Sequence, residues 1–225
     1  MLRPITQWIT AVAAAALLLG SLGANASARS LSFNDWTMRA TWASLEFGSP
    51  TATIRCRLTL EGSFHTRTIA KVRGSLIGAL TRAIVVRPCT NGEAWADNGT
   101  EVEPLGTAPN RLPFHLTYEG FRGTLPAIDE VRLLLSRISF VMQSSFIGIG
   151  CRGRYGRAED NIIAGAARNT ATGELSTLAP DSTVNRLSLV EALVGGGACP
   201  TTGAFRGIGS VTVLSSGNRI TVTLI

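Results

Sequence analysis

The side chains best suited to catalysis in this chain are its two histidines, His65 and His115. Nucleophilic hydrolysis needs a serine or cysteine beside a general base, and no G-x-S-x-G, H-E-x-x-H or S-x-x-K pattern occurs. His115 alternates with Phe114 and Leu116, so in a strand its side chain points away from theirs. We therefore expect a surface or hydrogen-bonded histidine at position 115, with a ligand contact as the alternative, and we predict no catalytic residue.

A second candidate is a local cluster of arginines, Arg152, Arg154 and Arg157, with Tyr155 between them. Guanidinium groups bind carboxylates and phosphates through paired hydrogen bonds, so these three are candidate ligand contacts for an anionic polymer. The stretch 152–185 is rich in Gly, Ala, Asn and Thr, which predicts a long surface loop or a weak hairpin. A solvated loop that binds nothing is the alternative for the same residues.

Carboxylates could hydrolyse glycosides if two of them faced each other across a cleft, about 5 to 10 Å apart. Adjacent Asp129 and Glu130 would point to opposite faces of a strand, which disfavours that pair. The spacing selects no other pair, so solvated carboxylates in turns are the alternative. The candidates by residue type are Glu61, Glu101, Glu103, Glu119, Asp129 and Glu130.

The stretch Gly148–Gly153 matches the G-x-G-x-x-G pattern of dinucleotide-binding loops. It contains Cys151, and no helical pattern follows it, so we interpret its glycines as bulge and turn positions. We expect no cofactor.

The four cysteines are Cys56, Cys89, Cys151 and Cys199. An even number of cysteines in an exported chain predicts two disulfides, which four cysteines can form in three ways. We favour Cys56–Cys89 and Cys151–Cys199, because sequential pairing suits a chain of hairpins. No two cysteines lie within four residues of each other and neither histidine is close to one, so we expect no metal.

Residues 1–28 have the pattern of a signal peptide, with Arg3 ahead of an apolar run at 11–19 and small residues at 24–28. The run is about half of the roughly 20 residues that a spanning helix needs, and an uncleaved anchor is the alternative. The pattern predicts a secreted or envelope-associated protein with no integral membrane segment after cleavage. Residues 29–225 would form a single disulfide-stapled β domain.

The formal net charge is +6, and Lys71 is the single lysine among 21 basic residues. Arginine together with abundant Ala and Gly is typical of GC-rich genomes, so we do not interpret the charge as a nucleic-acid signal. An exported basic protein is attracted to anionic surfaces, which makes an anionic envelope glycopolymer or surface the expected partner.

Period-two alternation recurs along the chain and predicts strands. Within Leu112–Pro126 it predicts two antiparallel strands joined by a tight turn at Glu119-Gly120. Along Thr53–Leu60 it predicts one apolar side and one side of Arg and Thr, and Ser210–Ile225 predicts a final hairpin. The fold class is therefore all-β, an antiparallel β-sandwich or partly closed barrel of about eight to eleven strands.

Residues 68–80 are ambiguous, because Ile69, Val72, Leu76 and Leu80 also fit helical spacing. Glycines at two positions of this stretch disfavour a helix by about 1 kcal/mol each. We favour irregular chain followed by a strand from about Leu80 to Arg87, with a short helix as the alternative.

Short motifs of this chain resemble uncharacterised secreted proteins of GC-rich actinobacteria. The motifs are Leu60–His65, Leu112–His115, Gly123–Pro126 and Ile220–Ile225. Those proteins usually carry Trp where this chain has Phe114. The resemblance implies export and an all-β fold, and it implies no activity and no catalytic residue.

Three functional hypotheses follow from these patterns. The favoured one is an exported, non-catalytic structural or binding module of the cell envelope or extracellular space. The first alternative is a secreted carbohydrate-acting hydrolase with a carboxylate pair that the sequence does not locate. The second alternative is an outer-membrane β-barrel, which the strand alternation permits.

Overall fold

The computed structural model describes residues 30–48, 53–97, 112–144, 150–157, 159–181, 186–195, 197 and 199–225. The predicted signal segment 1–28, the carboxylates Glu101 and Glu103, and Gly148 lie outside these residues. The described chain is almost entirely antiparallel β-structure, which confirms the predicted fold class. No helix in the described part is both long and apolar enough to cross a bilayer.

Sixteen strands form in the described residues, more than the eight to eleven expected, because short segments of three or four residues, such as Ser30–Phe33 and Thr68–Ala70, also pair. They are β1 (Ser30–Phe33), β2 (Thr37–Gly48), β3 (Thr53–Phe64), β4 (Thr68–Ala70), β5 (Leu76–Thr90), β6 (Gly92–Ala96), β7 (Phe114–Thr124), β8 (Ala127–Ser136), β9 (Phe140–Ser144), β10 (Cys151–Tyr155), β11 (Asn161–Arg168), β12 (Leu175–Pro180), β13 (Arg186–Val194), β14 (Thr202–Arg206), β15 (Ser210–Thr212) and β16 (Val222–Leu224).

Most strands belong to one strongly curled sheet with the order β12-β11-β8-β7-β5-β3-β2-β14-β13-β10-β9-β6, and β15 pairs with β2 beside β14. A three-stranded sheet, β16-β1-β4, packs against it. The curl brings strands that are distant in the sheet into one core, where the ring of Phe140 lies 5.5 Å from Phe47, 5.5 Å from Phe205 and 6.2 Å from Phe114. Phe33 stacks on Phe64 at 4.2 Å and joins the two sheets.

The alternation predicted for Thr53–Leu60 is present in β3. Ile54 and Leu58 are buried in the core, whereas Arg55 and Arg57 are exposed on the opposite side. Burial of the apolar side fixes the register, because a shift by one residue would place the arginines in the core.

The turn predicted at Glu119-Gly120 is wrong. Strand β7 continues through these residues to Thr124, and the reversal into β8 comes at Leu125-Pro126. The register with β8 shifts between Tyr118 and Gly120, and Gly120 has a φ of 155°. A bulge adds one residue without ending the pairing, so it interrupts the sequence alternation in the same way as a turn.

The short helix considered for residues 68–80 is also wrong. The chain forms β4, turns at Gly74 with a φ of 81°, and enters β5 at Leu76 rather than at Leu80. At Gly78 an added Cβ would lie 2.3 Å from the carbonyl oxygen of Ser63. This glycine therefore allows β3 and β5 to approach closely, a requirement that local helical spacing does not reveal.

The stretch 152–185, predicted as a long surface loop or a weak hairpin, supplies strand β10 and the antiparallel pair β11–β12. The hairpin is therefore confirmed for β11 and β12, and the surface loop is wrong. One glycine of β11 lies close to a side chain of the neighbouring strand. At Gly165 an added Cβ would lie 2.6 Å from the carboxyl carbon of Glu130. The predicted final hairpin is reduced to a single bridge between Thr212 and Arg219, since β15 pairs with β2 and β16 pairs with β1.

Both predicted disulfides are confirmed, Cys56–Cys89 and Cys151–Cys199. The first joins β3 to β5, and the second joins β10 to the segment that leads into β14. Among the described residues, no cluster of three or more His, Cys, Asp or Glu side chains could hold a metal ion.

Candidate functional site

His115 lies on the outward side of β7, as the alternation predicts, and is half-buried. Its Nε2 atom lies 3.3 Å from Nη1 of Arg137. Because a guanidinium has no acceptor, Arg137 is the donor of this contact and Nε2 of His115 accepts. A ligand contact at His115 stays a prediction.

Arg154 is buried in an ionic network on the outward side of β10. Its Nε lies 3.5 Å from Oδ2 of Asp97, and its Nη1 pairs with Glu191 of β13. Ser139 donates a hydrogen bond of 2.7 Å to the same Asp97 oxygen. This guanidinium therefore holds three segments of the sheet together.

Arg152 is also buried, and its guanidinium lies 4.8 Å from the ring centre of Trp95. Tyr155 points inward and donates to the carbonyl of Pro200 at 3.1 Å, and burial raises the pKa of its hydroxyl. Arg157 is exposed; its backbone N–H donates to Oδ2 of Asp160 at 2.9 Å, and its Nη1 lies 4.0 Å from Oε1 of Glu159. The structure thus does not bring the three arginines to one surface, and their role as ligand contacts stays a prediction.

A larger set of arginines lies on the outward side of four adjacent strands, β14, β2, β3 and β5, and at the neighbouring end of β13. We call this surface the arginine face. It carries seven arginines and two glutamates: Arg39, Arg55, Arg57, Arg82, Arg87, Arg186, Arg206, Glu46 and Glu61. The surplus of five positive charges comes from residues that are far apart in sequence.

Cross-strand register explains which of these arginines are paired. Glu61 of β3 stands between Arg39 of β2, at 2.8 Å, and Arg82 of β5, at 3.2 Å. Glu46 of β2 pairs with Arg55 of β3 at 2.7 Å. The long arginine stems cover Glu61, which is 7% exposed.

The remaining four arginines, at positions 57, 87, 186 and 206, have no carboxylate partner among the described residues. Arg87 lies 5.5 Å from the ring centre of Trp95, which orients its guanidinium by a cation–π contact. Unpaired guanidiniums keep all their donors available for an external anion.

Two depressions lie on the arginine face. The β3–β5 depression has a volume of 350 Å³ and presents Arg55, Arg57 and Arg87 together with Ser44 and Thr90. It forms where the register shifts, between Trp42 and Leu45 in β2 and between Arg55 and Arg57 in β3. Such bulges bend the strands outward and open space between side chains. The Cys56–Cys89 disulfide lies beneath it.

The second, the β13–β14 depression, has a volume of 290 Å³ and presents Arg186, Arg206, Thr53, Thr202 and Glu46. Across the two depressions, the residues paired in register on neighbouring strands are, in order, Arg206, Glu46, Arg55 and Thr90. The Glu46–Arg55 ion pair therefore separates the two depressions, with one partner lining each.

A third depression, of 270 Å³, lies on the outward side of β7, β8 and β11. Here Arg132 lies 3.6 Å from Glu130 and 3.2 Å from Asp181, and Arg122 lies 3.5 Å from Glu130. Nearby, Glu119 pairs with Arg73. We call these six residues the balanced face, because three arginines meet three carboxylates.

Sequence reasoning missed the arginine face, although part of its signal was present in the Arg-and-Thr side of Thr53–Leu60. Comparison with known proteins adds no assignment: no family model, no curated protein and no solved structure matches this chain.

Proposed function

We propose that this protein is an exported, non-catalytic binding module whose arginine face binds an anionic polymer of the cell envelope or extracellular space. The observation that carries the proposal is the seven-to-two ratio of arginines to glutamates on adjacent strands. The signal-like residues 1–28 and the two disulfides support an extracellular location.

Physical chemistry favours this surface for anion binding. Guanidiniums donate paired hydrogen bonds to carboxylate, phosphate or sulfate groups, and Arg57, Arg186 and Arg206 have no described carboxylate to displace first. The arginines extend from hydrogen-bonded strands rather than from loops, so the backbone loses little freedom when a ligand binds. The balanced face offers no comparable surplus, so an anionic surface would meet the molecule on one side.

The test uses the full chain and dextran sulfate as the probe. We compare wild type with a double variant of the arginine face, Arg57→Glu and Arg206→Glu, and with a charge-matched double variant of the balanced face, Arg73→Glu and Arg122→Glu. We expect the first variant to lose at least about tenfold in affinity and the second less than threefold, with all affinities falling as salt rises. Equal losses in both variants, or no binding by wild type at low salt, would refute the proposal.

A hydrolase acting on carbohydrate remains the second candidate, because Glu130 and Asp181 face the same depression. Against it, both carboxylates contact Arg132, which occupies the space where an acid and a base would need a glycosidic bond between them. Turnover of a polysaccharide by wild type that disappears in both Glu130→Gln and Asp181→Asn would establish this candidate instead.

A further inference from the structure

Resting on the proposed function, we infer that the ligand is a linear glycan with one acidic sugar per disaccharide, which lies across the strands and seats one anionic group in each depression. The ligand class follows from the spacing of the arginines that line the two depressions and from the position of Glu46 between them.

The spacing comes from the strand order. Arg206 is on β14, Arg55 and Arg57 are on β3, and β2 lies between these strands. Neighbouring strands are separated by about 4.8 Å, so the two arginine groups are about 10 Å apart across the sheet. Arg186 on β13 and Arg87 on β5 widen the separation at either side.

Each depression has the chemistry to seat an anion. The β3–β5 depression offers the unpaired Arg57 and Arg87, with Arg55 held by Glu46 and the hydroxyls of Ser44 and Thr90 on its walls. The β13–β14 depression offers Arg186 and Arg206 with two threonine hydroxyls, and Glu46 lines its border with the β3–β5 depression. Arginine with neutral hydroxyl donors is a common arrangement around carboxylate and sulfate groups.

Glu46 selects the charge density of the ligand. Glu46 is paired in register with Arg206 on one side and Arg55 on the other, where the two depressions adjoin. An anion placed directly above Glu46 would be repelled, whereas anions on either side of it meet arginines. A polymer with a charge on every sugar puts an anion in the repelled position. A polymer with a charge on alternate sugars places a neutral sugar above Glu46. The distance between its charges is then similar to the distance across two strand spacings of the sheet.

The experiment titrates the full chain with two sets of oligosaccharides and follows binding by calorimetry. Hyaluronan oligosaccharides carry one carboxylate per disaccharide, and polygalacturonate oligosaccharides carry one per sugar. For hyaluronan we expect affinity to rise at least about tenfold between one and two carboxylates and little with a third, because the second contact is intramolecular. At equal charge, polygalacturonate should bind several-fold more weakly.

The variant Glu46→Gln tests the selecting residue, with Glu119→Gln on the balanced face as the matched control. Glu46→Gln also releases Arg55, so the readout is the ratio of the two affinities rather than either alone. We expect Glu46→Gln to bring that ratio within about twofold of unity, and Glu119→Gln to leave it unchanged. Two results would overturn the inference while leaving the arginine face as a binding site. One is an affinity that rises evenly with every added charge. The other is a ratio of hyaluronan to polygalacturonate affinity that Glu46→Gln does not change. If neither oligosaccharide binds and dextran sulfate also does not, the proposed function itself fails.

Discussion

The arginine face and the balanced face are built from the same residue type on the same sheet, yet they differ in how their arginines are used. On the balanced face all three arginines lie within 3.6 Å of a carboxylate. On the arginine face three of seven do so, and the others point to solvent or to an aromatic ring. Arginines without a carboxylate partner are therefore concentrated on one of these two faces, and the comparison separates arginines that hold strands together from arginines that are available to a ligand.

The backbone beneath the two faces differs as well. The β3–β5 depression depends on two bulges and on the Cys56–Cys89 disulfide beneath them, whereas neither Cys151 nor Cys199 lines any of the three depressions. Four sets of variants test this difference between the two faces.

The largest effect should come from removing the Cys56–Cys89 disulfide with Cys56→Ala and Cys89→Ser. A bridge that closes a loop of 33 residues contributes about 3–4 kcal/mol to the free energy of unfolding on the loop-entropy model. We expect urea unfolding to show this decrease in the free energy of unfolding. We also expect weaker dextran sulfate binding, because the strands that form the depression are no longer held together by the disulfide. Removing Cys151–Cys199 should cost a similar free energy and leave binding within twofold. If the two variants bind equally weakly, the depression is not the binding element.

The next effect contrasts two glycines. At Gly62 in β3 an added Cβ would lie 2.1 Å from the backbone carbonyl oxygen of Ala79, which the paired strands cannot move. At Gly165 the obstacle is the end of the Glu130 side chain, which can rotate away. We expect Gly62→Ala to lower the free energy of unfolding by about 2–3 kcal/mol and Gly165→Ala by less than about 1 kcal/mol. Equal losses in denaturant unfolding would mean that both faces are equally adaptable.

A smaller effect should follow from Glu61→Gln, which keeps the shape of the side chain. The change removes the charge shared by Arg39 and Arg82, at a cost of about 1–2 kcal/mol because the group is buried and its hydrogen bonds are charge-assisted. Binding of dextran sulfate should move in the opposite direction and strengthen two- to fivefold, since two guanidiniums lose their carboxylate. A variant that loses both stability and affinity would show that Glu61 organises the binding surface rather than competing with the ligand.

The smallest effect is expected for Glu130→Gln on the balanced face. Exposed ion pairs contribute about 0–1 kcal/mol to stability, so we expect the free energy of unfolding to fall by roughly a few tenths of a kcal/mol. Arg122 is freed but Arg132 still contacts Asp181, so dextran sulfate affinity should rise by less than twofold. A rise as large as that of Glu61→Gln would mean that pairing alone, and not strand arrangement, distinguishes the two faces.

Particular residues show where sequence reasoning succeeded. Ile54 and Leu58 alternate with Arg55 and Arg57, and this pattern predicted one strand with a core side and a basic side, which β3 has. The disulfide pairing was also predicted, because hairpin-rich chains place successive cysteines close together. The strand pattern depends on a short window of the chain, whereas the paired cysteines are 33 and 48 residues apart and their pairing is one of three that the sequence allows.

The features that the sequence did not predict depend on contacts between distant segments of the chain. A bulge at Gly120 interrupts the alternation in the same way as a turn. The helical spacing within residues 68–80 hides the start of β5 at Leu76, where Gly78 contacts the backbone of Ser63 across the sheet. The arginine face could not be predicted, since Arg206 and Arg55 are neighbours of Glu46 on opposite sides of β2 and come from distant segments.

The residues alone indicate the all-β class and the inward and outward sides of the clearest strands. These depend on the two-residue period of a strand and on the burial of apolar side chains, which are local properties. The tertiary structure alone decided which strands lie side by side, and with that which arginines meet a carboxylate and which face solvent without one. The reason is physical: hydrogen-bonded register between distant segments sets the distances between charges, and no spacing along the chain encodes those distances.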